Sequence, residues 1–148
     1  NPGLYCKPIA KPKSDMLSVR EMMFDVNQKF GFGDDCAWHP AERKKLAAEN
    51  DGKEPAAGIF NPFSLQILAH YFDAAGVLER LEAFVLTNVS TYLPILNFDE
   101  RLTWFNTKIS LVREPWTLPK DYKGTPIFMG GRKINWQIEN WDWRDYLK

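Results

Sequence analysis

The chain has 148 residues, of which 45% are hydrophobic and 14% aromatic, which is enough apolar side chain for one compact domain with its own core. Nineteen basic residues balance nineteen acidic ones, so the sequence predicts no overall attraction to nucleic acid or to an anionic membrane. No apolar run approaches the roughly 20 residues of a membrane-spanning helix, and no basic segment followed by a hydrophobic stretch indicates a secretion signal.

Cys6 and Cys36 lie in different segments and form no Cys-x-x-Cys pair, so neither a zinc cage nor a disulfide framework is indicated. We expect reduced thiols in a cytoplasmic protein. The chain begins at Asn1 without an initiator methionine and reaches an apolar stretch at Leu4, which suggests a piece of a longer protein.

The first third of the chain predicts a strand, a helix and a second strand. The short apolar run 4–9 is typical of a buried strand, and a helix should begin at Ser14 or Asp15 and end before residues 27–28. Residues 29–33 then predict a second buried strand that ends in two aspartates. Strand, helix, strand is the unit of a parallel sheet.

Residues 40–62 are polar and irregular and predict a long loop. Loops of this length in compact domains are often lids or binding loops, but simple solvated disorder is an equal alternative. Two helices should follow, over residues 65–76 with Gly76 as C-cap and over residues 78–89.

The last third consists of short segments separated by prolines. Gly130 and Gly131 lie between the apolar runs 127–128 and 134–138 and predict a hairpin turn. Alternation with a period of two predicts that Ile134, Trp136 and Ile138 share one face of the second run.

Asp34 and Asp35 are the most suggestive polar pair, because carboxylates at the C-terminal ends of parallel strands serve as ligands and general bases in barrel enzymes. A solvated acidic pair is the alternative. His39 is close enough in sequence to share a pocket with Asp35, where it could bind a carboxylate or carry a proton, unless it is a surface histidine.

Two histidines, with His70 expected to be structural in a helix, cannot supply the three ligands that a catalytic zinc requires. The six tryptophans could form a stacking platform for sugars or bases, or they could be buried anchors.

Three segments in order resemble the motif series of the compact dihydroorotases. They read Leu-Tyr-Cys-Lys-Pro-Ile-Ala-Lys at 4–11, Phe-Gly-Asp-Asp-Cys-Ala-Trp-His at 32–39 and Ala-Ala-Gly-Ile-Phe-Asn at 56–61. The resemblance implies an α/β fold, the C-terminal portion of a TIM-type (β/α)8 amidohydrolase barrel. A complete barrel needs about 250 residues, so most of its strands would lie outside this chain.

The resemblance divides the chain into two parts. Residues 1–97 would form about the last two strand-helix units of the barrel, including a substrate loop at 40–62, and residues 98–148 would form a C-terminal extension with a β-hairpin.

The resemblance also assigns roles to single residues. It makes Asp35 the catalytic aspartate, which is both a zinc ligand and the acceptor of the proton from the attacking hydroxide. His39 would bind the carboxylate of dihydroorotate, and Lys7 and Ala57 would contact the same substrate through their main chains. The family uses two zinc ions, but its His-x-His, its carboxylated lysine and its two further zinc-binding histidines have no counterpart in this chain.

The implied function is part of dihydroorotase, the zinc enzyme that interconverts N-carbamoyl-L-aspartate and dihydroorotate in pyrimidine biosynthesis, in a homodimer that needs the rest of its barrel. One alternative is a non-catalytic dihydroorotase-like subunit that acts as an assembly partner. Another is a stand-alone binding module that uses its tryptophans.

Overall fold

The structure, a computed structural model, describes residues 5–6, 11–25, 29–50, 58–89 and 108–146. The helices described are α1 (Lys13–Phe24), α2 (Ala41–Glu49), α3 (Ser64–Ala74) and a short α4 (Trp143–Tyr146). A 3-10 turn at Leu78–Arg80 and a π-helical segment at Ala83–Thr87 follow α3.

The helix predicted from Ser14 or Asp15 is confirmed as α1, which ends at Phe24. None of its side chains is fully buried, but Met23 and Phe24 at its end are half-buried, and the ring of Phe24 lies 5.0 Å from that of Phe72 in α3. The strand predicted over 4–9 falls mostly outside the described residues, and the two of them that are described, Tyr5 and Cys6, are not in a strand.

The buried strand predicted at residues 29–33 is wrong. These residues have no strand hydrogen bonding and are mostly exposed, and the backbone N–H of Phe32 donates to the carbonyl oxygen of Phe84 at 2.9 Å. A strand requires a neighbouring strand, and here the amide bonds to a helical carbonyl. The single parallel bridge of the described chain comes later, between Cys36 and Ile59.

The long irregular loop predicted at residues 40–62 is also wrong in its first half, because α2 occupies Ala41–Glu49. The sequence Ala-Glu-Arg-Lys-Lys-Leu-Ala-Ala-Glu consists of strong helix formers, and the proline at position 40 ends the preceding segment without interrupting the helix. The charge run that indicated a solvated loop is the start of this helix. Lys44 and Ala47, three residues apart, are its buried positions.

The two helices predicted after position 62 are confirmed in outline. α3 ends at Ala74, and Gly76 follows with a φ of +72°, a conformation that glycine adopts without strain. The second helix has irregular geometry, since residues 81–89 are helical throughout but contain the π-helical segment.

The last part of the chain forms one long antiparallel ribbon, which we call the nested hairpin. Three short ladders lie one inside the next: β1 pairs with β6, β2 with β5 and β3 with β4. The strands are β1 (Leu111–Val112), β2 (Trp116–Thr117), β3 (Asp121–Tyr122), β4 (Thr125–Pro126), β5 (Lys133–Ile134) and β6 (Gln137–Ile138).

The hairpin turn is at Lys123 and Gly124, so its predicted position at Gly130 and Gly131 is wrong. Both turn residues have positive φ, at 48° and 77°, as a two-residue turn that follows the strand twist requires. Gly130 has another role, because a Cβ there would lie 2.6 Å from the carbonyl oxygen of Lys120. Gly130 thus allows one side of the ribbon to approach the other closely.

Two apolar clusters form the described core, with α3 between them. The first combines α3 and the segment before it with the nested hairpin, and its buried members are Phe60, Phe63, Ile67, Leu118, Ile127 and Ile134. The second joins α3 to the following helix, with Leu68, Ala69, Phe72 and Leu81 buried. Ile134 belongs to the first cluster and Trp136 packs on the second, so residues 134–138 contact both, and the shared face predicted for Ile134, Trp136 and Ile138 stays a prediction.

Residues 108–146 therefore share a core with residues 58–89. The predicted boundary at residues 97 and 98 lies outside the described residues and stays a prediction.

Candidate active site

Residues 34–39, which we call the site segment, contain both described residues that the resemblance assigns to the site. Asp35 is exposed and His39 is half-buried. The middle of the segment is held in place by its backbone, because Cys36 bridges Ile59 and the N–H of Ala37 donates to the Ile59 carbonyl at 3.2 Å. The site segment therefore lies beside the segment that begins at Gly58.

Gly58 allows this close approach. A Cβ at position 58 would lie 2.4 Å from the Cβ of Ala37, a separation that real side chains do not reach. Ala57, the predicted substrate contact, immediately precedes Gly58 in sequence but lies outside the described residues, as does Lys7.

Cys36 takes part in the hydrogen bonding that fixes this junction. The N–H of Asn61 donates to its Sγ at 3.2 Å, and Asn61 in turn donates through Nδ2 to the Ser64 hydroxyl at 2.8 Å, at the start of α3. Partial burial raises the pKa of the Cys36 thiol, and the charge of Asp34 adds to this, while the Asn61 bond acts against it. Cys36 is not part of a disulfide, and a thiol kept protonated is a weak nucleophile.

Sequence reasoning missed Lys44. Its side chain is 1% exposed, and its ammonium donates to the carbonyl oxygens of Tyr5 and Gly58. Burial lowers the pKa of the Lys44 amine, and negative charge on Cys6 opposes the shift. The helical spacing of Lys44 and Ala47 could have revealed it, but only once residues 41–49 are recognised as a helix.

The tip of the nested hairpin packs against the other end of the site segment. The Thr125 hydroxyl donates to the carbonyl oxygen of His39 at 2.7 Å. The ring of Tyr122 lies 6.0 Å from the ring of Trp38 and 5.9 Å from that of Phe60, between centroids. Nothing in the sequence indicated these contacts, because they join residues more than 60 positions apart.

His70 and three of the six tryptophans make structural contacts. His70 accepts a hydrogen bond at Nδ1 from the N–H of Asn135 at 3.3 Å, which agrees with the structural role expected for it. Three tryptophans surround Phe63 edge-on at 5.3 to 5.9 Å, as buried anchors do: Trp116, Trp141 and Trp143. This packing weakens the alternative of a stacking platform for sugars or bases.

The described residues do not by themselves fit a zinc site. In the part of the chain that the structure describes, no three histidine, cysteine, aspartate or glutamate side chains come together in a way that could hold a metal ion. Asp35 offers one exposed carboxylate, and a catalytic zinc takes about three protein ligands. Nor is any helix among the described residues long and apolar enough to cross a membrane.

Comparison of the sequence with curated proteins finds dihydroorotases. The curated dihydroorotase of Hahella chejuensis is 32% identical over 146 residues, which cover 93% of this chain. The chain is homologous to dihydroorotases. The match falls in their C-terminal part, and the chain spans 38% of the length of these relatives. No protein-family model matches the chain.

Solved dihydroorotase structures share the fold of the chain. The crystal structure of the Saccharomyces cerevisiae dihydroorotase in complex with 5-fluoroorotic acid matches with a TM-score of 0.77 and 25% identity, and the Campylobacter jejuni dihydroorotase matches with 0.67 and 28%. These matches cover 94% and 95% of this chain and 38% of each neighbour. The fold is therefore consistent with a fragment of an amidohydrolase barrel.

Proposed function

We propose that the complete protein is a dihydroorotase and that this chain contributes the Asp35 to His39 portion of its active site. The observation that carries the proposal is the position of these two residues. They lie on one segment of six residues, exposed at Asp35 and half-buried at His39, in a chain homologous to dihydroorotases over 93% of its length. The reaction would be the reversible hydrolysis of the ring amide of dihydroorotate to N-carbamoyl-L-aspartate.

In this reaction Asp35 would act as general base and then as general acid. Water adds to the ring carbonyl carbon while its proton passes to the Asp35 carboxylate, and the same proton then moves to the ring nitrogen as the carbon–nitrogen bond breaks. Asp35 is exposed, so its carboxylate is accessible to a substrate and to the attacking water.

His39 would hold the carboxylate of the substrate, and Lys7 and Ala57 would contact the substrate through their main chains. His39 is half-buried, and partial burial strengthens a hydrogen bond from its imidazole to a carboxylate because less water competes for the two groups. The zinc ions of the family would be held mainly by residues other than those described, with Asp35 as one ligand. The complete protein would be a cytoplasmic homodimer. Residues 1–97 would form the end of its barrel, and residues 98–148 would form a C-terminal extension.

The experiment compares two neighbouring carboxylates in the complete gene product, purified with zinc. Asp35→Asn should lower kcat for dihydroorotate hydrolysis by about 10²- to 10⁴-fold, the range for loss of a general base, with the circular dichroism spectrum unchanged. Asp34→Asn removes the same charge one residue earlier and should leave kcat within a small factor of the unmodified protein.

Two results would contradict the proposal. One is an unmodified complete gene product that does not turn over dihydroorotate in either direction, as the non-catalytic assembly partner would behave. The other is an Asp35→Asn variant that is as active as Asp34→Asn.

A further inference from the structure

The tip of the nested hairpin contacts the backbone at His39. The turn residues Lys123 and Gly124 place Tyr122 and Thr125 opposite one another as a cross-strand pair. Cross-strand partners lie on the same face of a hairpin, and both of these side chains contact the end of the site segment. The tip of the hairpin is therefore built as one contact surface.

Thr125 makes the most specific of these contacts. It is 1% exposed, and the one hydrogen that its hydroxyl can donate goes to the carbonyl oxygen of His39 at 2.7 Å. A buried threonine whose hydroxyl bonds outside its own strand fixes the backbone of the residue it reaches. That residue is the one whose imidazole would bind the substrate.

The hairpin is itself anchored, so it can hold His39 in place. The N–H of Phe128 donates to the Phe60 carbonyl at 2.9 Å, and Ile127 is buried in the first apolar cluster. The ring of Tyr122 lies between those of Trp38 and Phe60 and so connects the site segment to the same cluster.

We propose that Thr125, supported by Tyr122, is a positioning residue for His39, and that the nested hairpin thereby sets the affinity of the site for the carboxylate of the substrate. This inference rests on the proposed function. Thr125 touches neither the substrate nor the reacting atoms. It acts only through the backbone of His39, so its loss should change substrate binding more than the chemical step.

The test uses the complete gene product with zinc and measures KM and kcat for dihydroorotate. Thr125→Val keeps the shape of the side chain and removes the hydroxyl, and it should raise KM about two- to tenfold, the range for one hydrogen bond of ordinary strength, with kcat within twofold. Thr125→Ser, which keeps the hydroxyl, should restore KM. Thr117→Val makes the same change at an exposed strand position and should leave both constants unchanged.

A double-mutant cycle distinguishes positioning from general stability. In a His39→Asn background, Thr125→Val should raise KM no further, because the group that it positions is already gone. A KM unchanged by Thr125→Val, or the same rise in both backgrounds, would overturn the inference while leaving the proposed function standing. An unmodified protein without turnover would overturn both.

Tyr122→Leu supplies a second variant in case Thr125→Val does not fold. It removes the ring that contacts Trp38 but keeps an apolar side chain, and it should also raise KM with little change in kcat. An unchanged KM in this folded variant would contradict the proposed role of the hairpin tip.

Discussion

Asp35 and His39 lie in a segment whose described backbone forms a single β-bridge, whereas the nested hairpin, which contributes neither, contains three paired ladders. The site segment is mostly exposed, and the hairpin supplies three of the buried residues of the first apolar cluster. The comparison teaches that the candidate catalytic and binding residues need not lie in a segment that is itself held by regular secondary structure. Their geometry comes from contacts of the site segment with residues 58–61 and with the hairpin.

The largest expected change in the free energy of unfolding comes from truncating Phe63, because this residue joins the start of α3 to the tryptophans of the last part of the chain. It is 0% exposed, and Phe63→Ala should lower the free energy of unfolding of the complete gene product by about 3–5 kcal/mol, as truncation of a buried phenylalanine does. Urea unfolding followed by tryptophan fluorescence measures the loss. Phe30→Ala, at a side chain that is 40% exposed, is the matched control, and an equal loss in both variants would show that the first cluster does not support the hairpin.

Lys44 tests the connection between α2 and the site. Lys44→Met keeps the apolar stem but leaves the carbonyl oxygens of Tyr5 and Gly58 without this donor, so unfolding should become easier by about 1–3 kcal/mol. Lys45→Met on the exposed side of the same helix should change the free energy of unfolding by less than about 0.5 kcal/mol. If the two variants unfold with the same free energy, the hydrogen bonds of Lys44 to Tyr5 and Gly58 do not stabilise the protein.

The free energy of unfolding of the unmodified protein, measured relative to Lys44→Met, should depend on pH. Because burial lowers the pKa of Lys44 below its value of 10.5 in the unfolded chain, the unfolded state binds more protons between the two values. Stability relative to Lys44→Met should therefore rise as the pH increases through that window and level off above about 10.5. The centroid of the Tyr5 ring lies 6.0 Å from the ammonium nitrogen, and negative charge on Cys6 opposes the lowering of the Lys44 pKa. Chemical unfolding at a series of pH values measures it, and a difference that falls with pH would contradict the assignment.

Three glycine-to-alanine changes give the smallest expected effects and compare the hairpin with Gly33, the residue immediately before the site segment. Gly124→Ala should lower the free energy of unfolding by about 1 kcal/mol, because the turn requires a φ of +77°. Gly130→Ala should cost at least as much, since its Cβ would meet the carbonyl oxygen of Lys120 at 2.6 Å. Gly33→Ala, with no atom within 4 Å of the new Cβ, should cost little, and thermal unfolding should give this order.

Sequence reasoning predicted best where one local signal decided the structure. The apolar periodicity of α3 and the glycine after it identified that helix, and three short motifs identified the dihydroorotase homology. It was wrong about residues 41–49 because their charge suggested a solvated loop, although the same residues favour a helix.

The sequence could not reveal contacts between distant segments. The turn was placed at Gly130 and Gly131 because two glycines in succession are a strong turn signal, but Gly130 serves the close approach to Lys120, and Gly131 has a φ of +81°. The Thr125 bond to His39 joins residues 86 positions apart and has no local signature. Candidate residues could thus be named from the sequence, whereas the residues that position them required the structure.

The most direct measurement of the central claim compares the two histidines of the chain in the complete gene product. His39→Asn should raise KM for dihydroorotate roughly ten- to a hundredfold, the range for loss of a hydrogen bond to a charged group. His70→Asn, which disturbs the bond from Asn135 and the ring contact with Tyr71, should leave KM unchanged even if it lowers the thermal midpoint. The opposite pattern, with KM changed by His70→Asn and not by His39→Asn, would contradict the assignment of the site segment as the place where substrate binds.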